Sequence, residues 1–321
     1  MKTERPPLHC THHVFTAPQT GPSLIVLGAV HGNEICGSLA IRRILEEIDA
    51  GELRIQRGRV TFVPIANPLA WTLQKREGER NLNRCLQPTD TPVQYEDHVA
   101  NWLCPLLAQH EVLLDLHSFH TPGEPFVMLG PENNDGPLEP FKHAVEERAL
   151  AHCLGIRRFV DGWLDTYASG AARRGDSNPA YGVGTTEYMR SVGGYGLTVE
   201  CGQHDDPAAV KVAERCIRAT LEHLGISNPP NEPFEPITDV EHMRIREVVD
   251  KRFDHDTFVR DWESFDRLKK GEVIGTHADG SVALADRDGY ILFPNPGARA
   301  GKEWYYVAET VAGDSSRIRG L

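Results

Sequence analysis

The stretch SLIVLGAVHGNEICGSLAIRRILEEI, residues 23–48, decides how the rest of the chain is read. Its first part is apolar, and residues 24–30 read as a buried strand. Its last part places Ile35, Leu39, Ile41, Leu45 and Ile48 at helical spacing, so residues 35–49 read as a helix. Between them lies GAVHGNEICG, residues 28–37, with His31 and Glu34 three positions apart and glycines around them. A strand that runs through a short turn into a helix is half of an α/β unit. The two polar side chains on that turn leave two readings open, a metal site or an ordinary polar loop.

The same alternation continues outward. GRVTFVPIANP, residues 58–68, reads as a strand stopped by Asn67-Pro68. Residues 95–109 read as a helix, and EVLLDLH, residues 111–117, as a strand that ends on a histidine. Residues 137–153 read as a helix, YGLTVECG (195–202) as a strand ending on Glu200, and residues 207–224 as a helix opened by a proline. The expected fold is α/β, a mixed and mostly parallel sheet with helices on both faces. Ligands collect beyond the carboxyl ends of such strands, where His31, His117 and Glu200 stand. Composition changes at SNPPNEPFEP, residues 227–236, whose four prolines make a stiff connector. Beyond it, KKGEVIGT, ADGSVALA, DRDGYILF and KEWYYVAE read as short strands, with Ala-Asp-Gly and Arg-Asp-Gly marking hairpin turns. The expected organisation is a hydrolase domain over 1–230 and a small β-rich C-terminal domain over 231–321.

With 321 residues, 40% of them hydrophobic and 25% charged, the chain can bury a sizeable core. A formal charge of −12 argues against a general nucleic-acid binder. No apolar run approaches the ~20 residues of a membrane helix, and MKTERPPLHC lacks a signal core, so a cytoplasmic protein is expected. Seven scattered cysteines without a CxxC pair read as reduced thiols.

The metal reading gains from what else stands at the strand ends. Catalytic zinc takes three protein ligands and keeps a fourth place open. His31 and Glu34 can converge from one turn, Gly28 and Gly32 let backbone pack close, and His117 is the best third ligand. Asp115, two residues earlier on the same strand face, can accept a hydrogen bond from a ligand imidazole. Glu200 ends an apolar strand, where a raised pKa would suit a proton shuttle. QKREGERNLNRCL, residues 74–86, brings Arg76, Arg80 and Arg84 near Asn83. Arginine forks there match carboxylate geometry.

HGNE, NP, RxxxxxxNR, DLH and a strand-end VECG, in this order, resemble the succinylglutamate desuccinylase and aspartoacylase family, relatives of the zinc carboxypeptidases. GYILFPNP, residues 289–296, resembles part of the desuccinylases' C-terminal domain. The resemblance implies that His31, Glu34 and His117 hold one Zn2+, that Glu200 is general base and proton shuttle, and that Arg76 polarises the scissile carbonyl. It also implies that Asn83 and Arg84 grip the substrate's α-carboxylate and that Arg190 reads a further carboxylate. Tyr305 matches a substrate-contacting tyrosine, a place that Tyr306 could equally fill. The family's aspartate before LNR is Asn81 here, where an aspartate would help hold a neighbouring arginine.

These readings converge on a zinc-dependent amidohydrolase. Its partner would be a small N-acyl amino acid, acidic as in N-succinylglutamate or N-acetylaspartate. The alternatives are a zinc carboxypeptidase and a non-catalytic zinc-binding protein. The C-terminal domain is expected to narrow the cleft against long peptides. A homodimer stays open, as does the cluster His9, Cys10, His12 and His13, read as a polar N-terminal segment.

Overall fold

The computed structural model describes residues 9–175, 178–228 and 236–311. The chain begins with β1 (His13–Thr16), β2 (Gln19–Gly28), α1 (Cys36–Ala50), β3 (Arg57–Val63), α2 (Pro68–Leu73), α3 (Tyr95–Leu107) and β4 (Val112–Phe119). It continues with β5 (Phe126–Met128), α4 (Ala144–Cys153), β6 (Arg158–Asp161), α5 (Trp163–Arg173), α6 (Thr185–Ser191), β7 (Tyr195–Gln203) and α7 (Pro207–His223). The C-terminal part holds β8 (Glu241–Asp250), β9 (Thr257–Phe258), β10 (Arg267–Leu268), β11 (Val273–Thr276), β12 (Val282–Leu284), β13 (Gly289–Leu292) and β14 (Glu303–Thr310).

The sheet order is β1-β3-β2-β4-β7-β5-β6-β8-β14-β13-β10. Its centre, β3-β2-β4-β7, is parallel, and β5 runs antiparallel to β7. Successive side chains of β2 go to opposite faces. Leu24 and Val26 pack under α1 and α7, while Ile25 and Leu27 pack against α3. Both faces are therefore covered by helices, and the mixed α/β fold read from the sequence is the fold observed. A continuous apolar run is what such a doubly covered strand requires.

The last strands do not stand apart from this sheet. β8 pairs parallel to β6, and β14, β13 and β10 follow antiparallel. A separate three-stranded sheet, β12-β11-β9, packs beside them. The boundary expected at 230/231 falls within 229–235, outside the described residues, as does most of the proline connector.

Three local expectations are corrected. The helix expected over 137–153 begins only at Ala144. Pro137 and Pro140 lack donors and disfavour helical conformation before them, and Asn134 instead bridges Phe141. Ala278-Asp279-Gly280 does turn the β11–β12 hairpin, with Gly280 at φ 84°. Arg287-Asp288-Gly289 does not make one, because β12 and β13 belong to different sheets. Helices α5 and α6 were not legible as periodic segments. Among the described residues no helix is long and apolar enough to cross a membrane.

Candidate metal centre and cleft

His31 and Glu34 lie on the turn between β2 and α1, closed by a Glu34 N–H to His31 carbonyl bond of 3.2 Å. The glycine at position 32 is required by close approach, since a Cβ there would fall 1.9 Å from the Ala70 carbonyl carbon of α2. His117 is near the end of β4, directly opposite Glu200 on β7. The parallel register thus sets the expected base beside the expected ligand.

The ligand atoms of His31, Glu34 and His117 all lie within 4.8 Å of one another, and all three residues are buried. They form the one such group of three or more His, Cys, Asp or Glu side chains among the described residues. The Glu34 carboxylate sits between the rings, with Oε1 2.8 Å from His31 Nδ1 and Oε2 2.8 Å from His117 Nδ1. Both imidazoles therefore offer Nδ1 to the centre. Behind them, His31 Nε2 lies 3.1 Å from Asn81 Oδ1, and His117 Nε2 lies 2.9 Å from Asp115 Oδ2. The second contact has ion-pair distance but not hydrogen-bond alignment, since His117 Nε2 also counts as a buried nitrogen without a hydrogen-bond partner. A hydrogen-bond acceptor behind a ring, as Asn81 is for His31, is what a metal centre uses to fix a tautomer.

Asn81 corrects one expectation. Its side chain does not hold an arginine. Its Oδ1 faces His31 Nε2 and accepts the Asn83 N–H at 2.9 Å. Arg80, placed by sequence among the substrate-facing arginines, instead donates Nε to Asp97 at 2.9 Å and ties down the Asn81 and Arg84 carbonyls. The loop carrying Arg76, Asn83 and Arg84 is organised by Glu96, fully buried on α3. Its carboxylate accepts from the Asn67 side chain and from the backbone N–H groups of Gly78, Glu79 and Arg80. No sequence signal marked Glu96, because its partners are backbone groups of a non-adjacent loop.

Electrostatics divide the site. Burial would raise the Glu34 pKa, but His31 and His117 hold it well below the ordinary value. Burial, then Arg76, lowers His31 to about 4. Burial opposes protonation of His117, yet Asp115 and Glu34 raise it well above the ordinary value. Glu200 is pushed up to about 8, by burial first and by Glu34 second. Its Oε2 is buried without a hydrogen-bond partner, so it is a carboxyl group kept available for a proton. Arg76 Nη1 donates to Glu34 Oε1 at 2.8 Å and lies 3.2 Å from His31 Nδ1. With a half-exposed side chain, it spans from the centre to the cleft.

The cleft is a cavity of about 130 Å³ bordered by Arg76, Asn83, Arg84, Glu200, Glu303 and Tyr306, among others. Arg84 is buried over the Tyr167 ring, 3.8 Å from its centroid. Asn83 spends its Oδ1 on the Thr185 N–H at 2.9 Å, which leaves its amide nitrogen as the group it can offer. Thr185 also donates its hydroxyl to Asp115 Oδ2, so one residue of α6 steadies both Asn83 and the Asp115 carboxylate beside His117. His120 and His204, which sequence reasoning passed over, also border the cleft.

Two expected substrate residues are corrected. Tyr305 packs away from the cleft with Trp262, Ile274 and Trp304. Tyr306 faces it, its hydroxyl donating to Glu303 at 2.6 Å. Strand alternation sends these neighbours to opposite faces. Arg190 borders the cleft but is not held ready for a second substrate carboxylate. Its Nε and Nη2 donate to Glu147 at 2.8 and 3.0 Å, and Nη1 donates to Glu139 at 2.6 Å. Nor does it make a surface pair with Glu187, whose carboxylate is 3.9 Å away while the arginine side chain is buried. The His9–His13 cluster forms no metal-ligand group. His12 instead lies against the Trp102 ring.

Residues 20–122 match the family model described as Succinylglutamate desuccinylase/Aspartoacylase catalytic domain. The chain is 32% identical over 104 residues to a Trichodesmium erythraeum protein named "Probable aspartoacylase", covering 30% of this chain and 34% of that protein. It is 31% identical over 102 residues to the N-alpha-acetyl-L-2,4-diaminobutyric acid deacetylase of Halomonas elongata, covering 30% and 29%. The sequence matches thus span about a third of these relatives. Fold similarity runs further. The Rhodobacter sphaeroides succinylglutamate desuccinylase/aspartoacylase structure aligns at TM-score 0.73 and 21% identity over 95% of this chain and 90% of that one. The product-bound Ectoine utilization protein EutE (DoeB) from Ruegeria pomeroyi aligns at 0.70 and 20% identity over 93% and 88%.

Proposed function

We propose that this chain, whose residues 20–122 match the succinylglutamate desuccinylase/aspartoacylase catalytic-domain model, is a zinc-dependent amidohydrolase of N-acyl amino acids. The observation that carries the reading is the buried His31–Glu34–His117 donor set with the unpartnered Glu200 carboxyl beside it on the next strand. Two imidazoles and one carboxylate are the donor chemistry of catalytic zinc, which leaves a fourth place open. When bound, zinc would supply Lewis-acid polarisation and acidify water at the site.

The chain's own residues account for the rest. Glu200 takes a proton from the attacking water and returns it to the leaving amine. Its environment disfavours charge, and a nearby cation would offset that. Arg76 stabilises negative charge developing on the scissile carbonyl oxygen. The Asn83 amide and Arg84 hold the α-carboxylate. The product pair is a carboxylic acid and a free amino acid.

The small cavity, bordered on the C-terminal side by Glu303 and Tyr306, favours a short substrate over a peptide. A structural zinc protein would need a closed ligand set, and would give the unpartnered Glu200 no role. The test is a panel of acetyl-, formyl- and succinyl-amino acids with zinc-loaded protein, repeated after chelation. Release of free amino acid that stops on chelation and returns with zinc is the expected result. Turnover that is indifferent to chelation would remove the metal from the reaction.

A further inference from the structure

We infer that Glu139 and Glu147 are specificity-determining residues: by neutralising Arg190 they close the cleft to amino acids with a second carboxylate and favour side chains that end in an ammonium group. This rests on the N-acyl amino acid reading above and names the substrate class within it.

Arg190, Leu129, Trp163 and Glu187 line both the cleft and a neighbouring chamber of about 780 Å³. Arg84 and Arg190 line the same cleft, so a substrate held at Arg84 shares its space with Arg190 and the acids around it. The guanidinium has five N–H donors. Three go to Glu147 and Glu139, and Nη2 also serves the Gly196 carbonyl at 2.9 Å. The remaining Nη1 direction has Glu187 at 3.9 Å.

The clamp is rigid. Glu147 itself accepts the Gly130 N–H at 2.8 Å and the Gly196 N–H at 3.1 Å, so it is tied to β7. A Cβ at Gly130 would lie 2.5 Å from Arg190 Cζ, so the backbone presses against the guanidinium. Glu139 reaches Arg190 from the non-helical segment before α4, released there by Pro140. An incoming carboxylate would have to displace buried, charge-assisted bonds while facing Glu139, Glu147 and Glu187.

The chamber behind repeats the pattern. Five carboxylates and three arginines line it, and each arginine already has an acid. Arg244 donates twice to Asp161 at 2.7 Å, and Arg246 donates to Glu309 at 2.8 Å. The excess of carboxylates makes this wall attractive to a cation and repellent to an anion.

The experiment compares kcat/KM of the zinc-loaded enzyme for Nα-acetyl derivatives of glutamate, glutamine and ornithine. It is run at about pH 8, above the value of about 7 to which burial pushes Glu139. Ornithine should exceed glutamine, and glutamate should fall at least about tenfold below glutamine; ornithine at or below glutamine would overturn the preference for an ammonium group. Glutamate equal to or better than glutamine would overturn the inference. Glu139→Gln should raise the glutamate-to-glutamine ratio about tenfold, and Glu139→Asp should leave it near the wild-type value. A ratio unmoved by Glu139→Gln would also overturn it. If no acid in the panel is hydrolysed, the amidohydrolase reading fails by itself. Calorimetric binding of the same three compounds then decides the present inference by the same order.

Discussion

At one end of the cleft, His31 and Glu34 stand just beyond β2 and His117 and Glu200 in the C-terminal halves of β4 and β7, three adjacent parallel strands, each where its own stretch of sequence puts it. At the other end, Arg190 is brought to the cleft by α6 and clamped by acids from α4 and the segment before it, and the same cleft is bordered by Tyr306 of a strand more than a hundred residues later. At the first end a side chain's role follows from its type and its place on one strand. At the second end it follows from what packs behind it. An arginine at the right spacing is a carboxylate reader only if no other carboxylate reaches it first.

The largest effect should come from the metal end. Glu200→Gln keeps size and shape but cannot exchange the proton, so kcat should fall by ~10²-fold or more while zinc content is unchanged. Stopped assays paired with metal analysis measure both. Near-normal turnover in the zinc-loaded variant would show that the strand-end geometry is not catalytic.

The comparison also explains what was legible. The apolar run of β2 packs on both faces, so helices on both sides of the sheet could be read from its composition. His117 and Glu200 were legible because each follows an apolar strand run, although β4 continues to Phe119 and β7 to Gln203, and parallel register makes them neighbours. Glu96, Glu139, Glu147 and Thr185 were not, since each works through backbone or side chains distant in sequence. Tyr305 and Tyr306 differ by one position, which in a strand is a change of face, and spacing alone could not choose between them. Asn81 was noticed, but its partner was misread because His31 is 50 residues away.

A smaller effect would sharpen the contrast. Asn81 stands behind His31 and is not among the residues that line the cleft. Asn81→Ala should weaken zinc binding about tenfold, and Asn81→Asp should restore or strengthen it. Competition against a chromophoric chelator reads this directly. Unchanged affinity in Asn81→Ala would mean that His31 is oriented by packing alone.

The smallest effect tests the far end. Asp161, at the end of β6, binds His242 and Arg244 of β8. Burial would raise its pKa, but the hydrogen bonds from Arg244 and His242 bring it down to about 2, against an ordinary 3.8. A depressed carboxylate contributes stability in full above the unfolded value of about 3.8, and loses it as pH falls through about 2. Asp161→Asn should cost about 1–3 kcal/mol near neutral pH, and urea midpoints of the two proteins should draw together as pH drops below 3.8. A gap that persists at the lowest pH where both fold would assign the loss to shape and not to charge.

The pairing of β8 with β6 has a practical consequence for anyone dissecting this chain. A fragment stopped after α7 would keep His31, Glu34, His117 and Glu200. It would also uncover the outer rim of β6, leaving open N–H and C=O groups with Phe159 and Val160 behind them. Such a rim is a template for other chains. The expected outcome is a truncated protein that self-associates, so its lost activity would report insolubility before it reported chemistry.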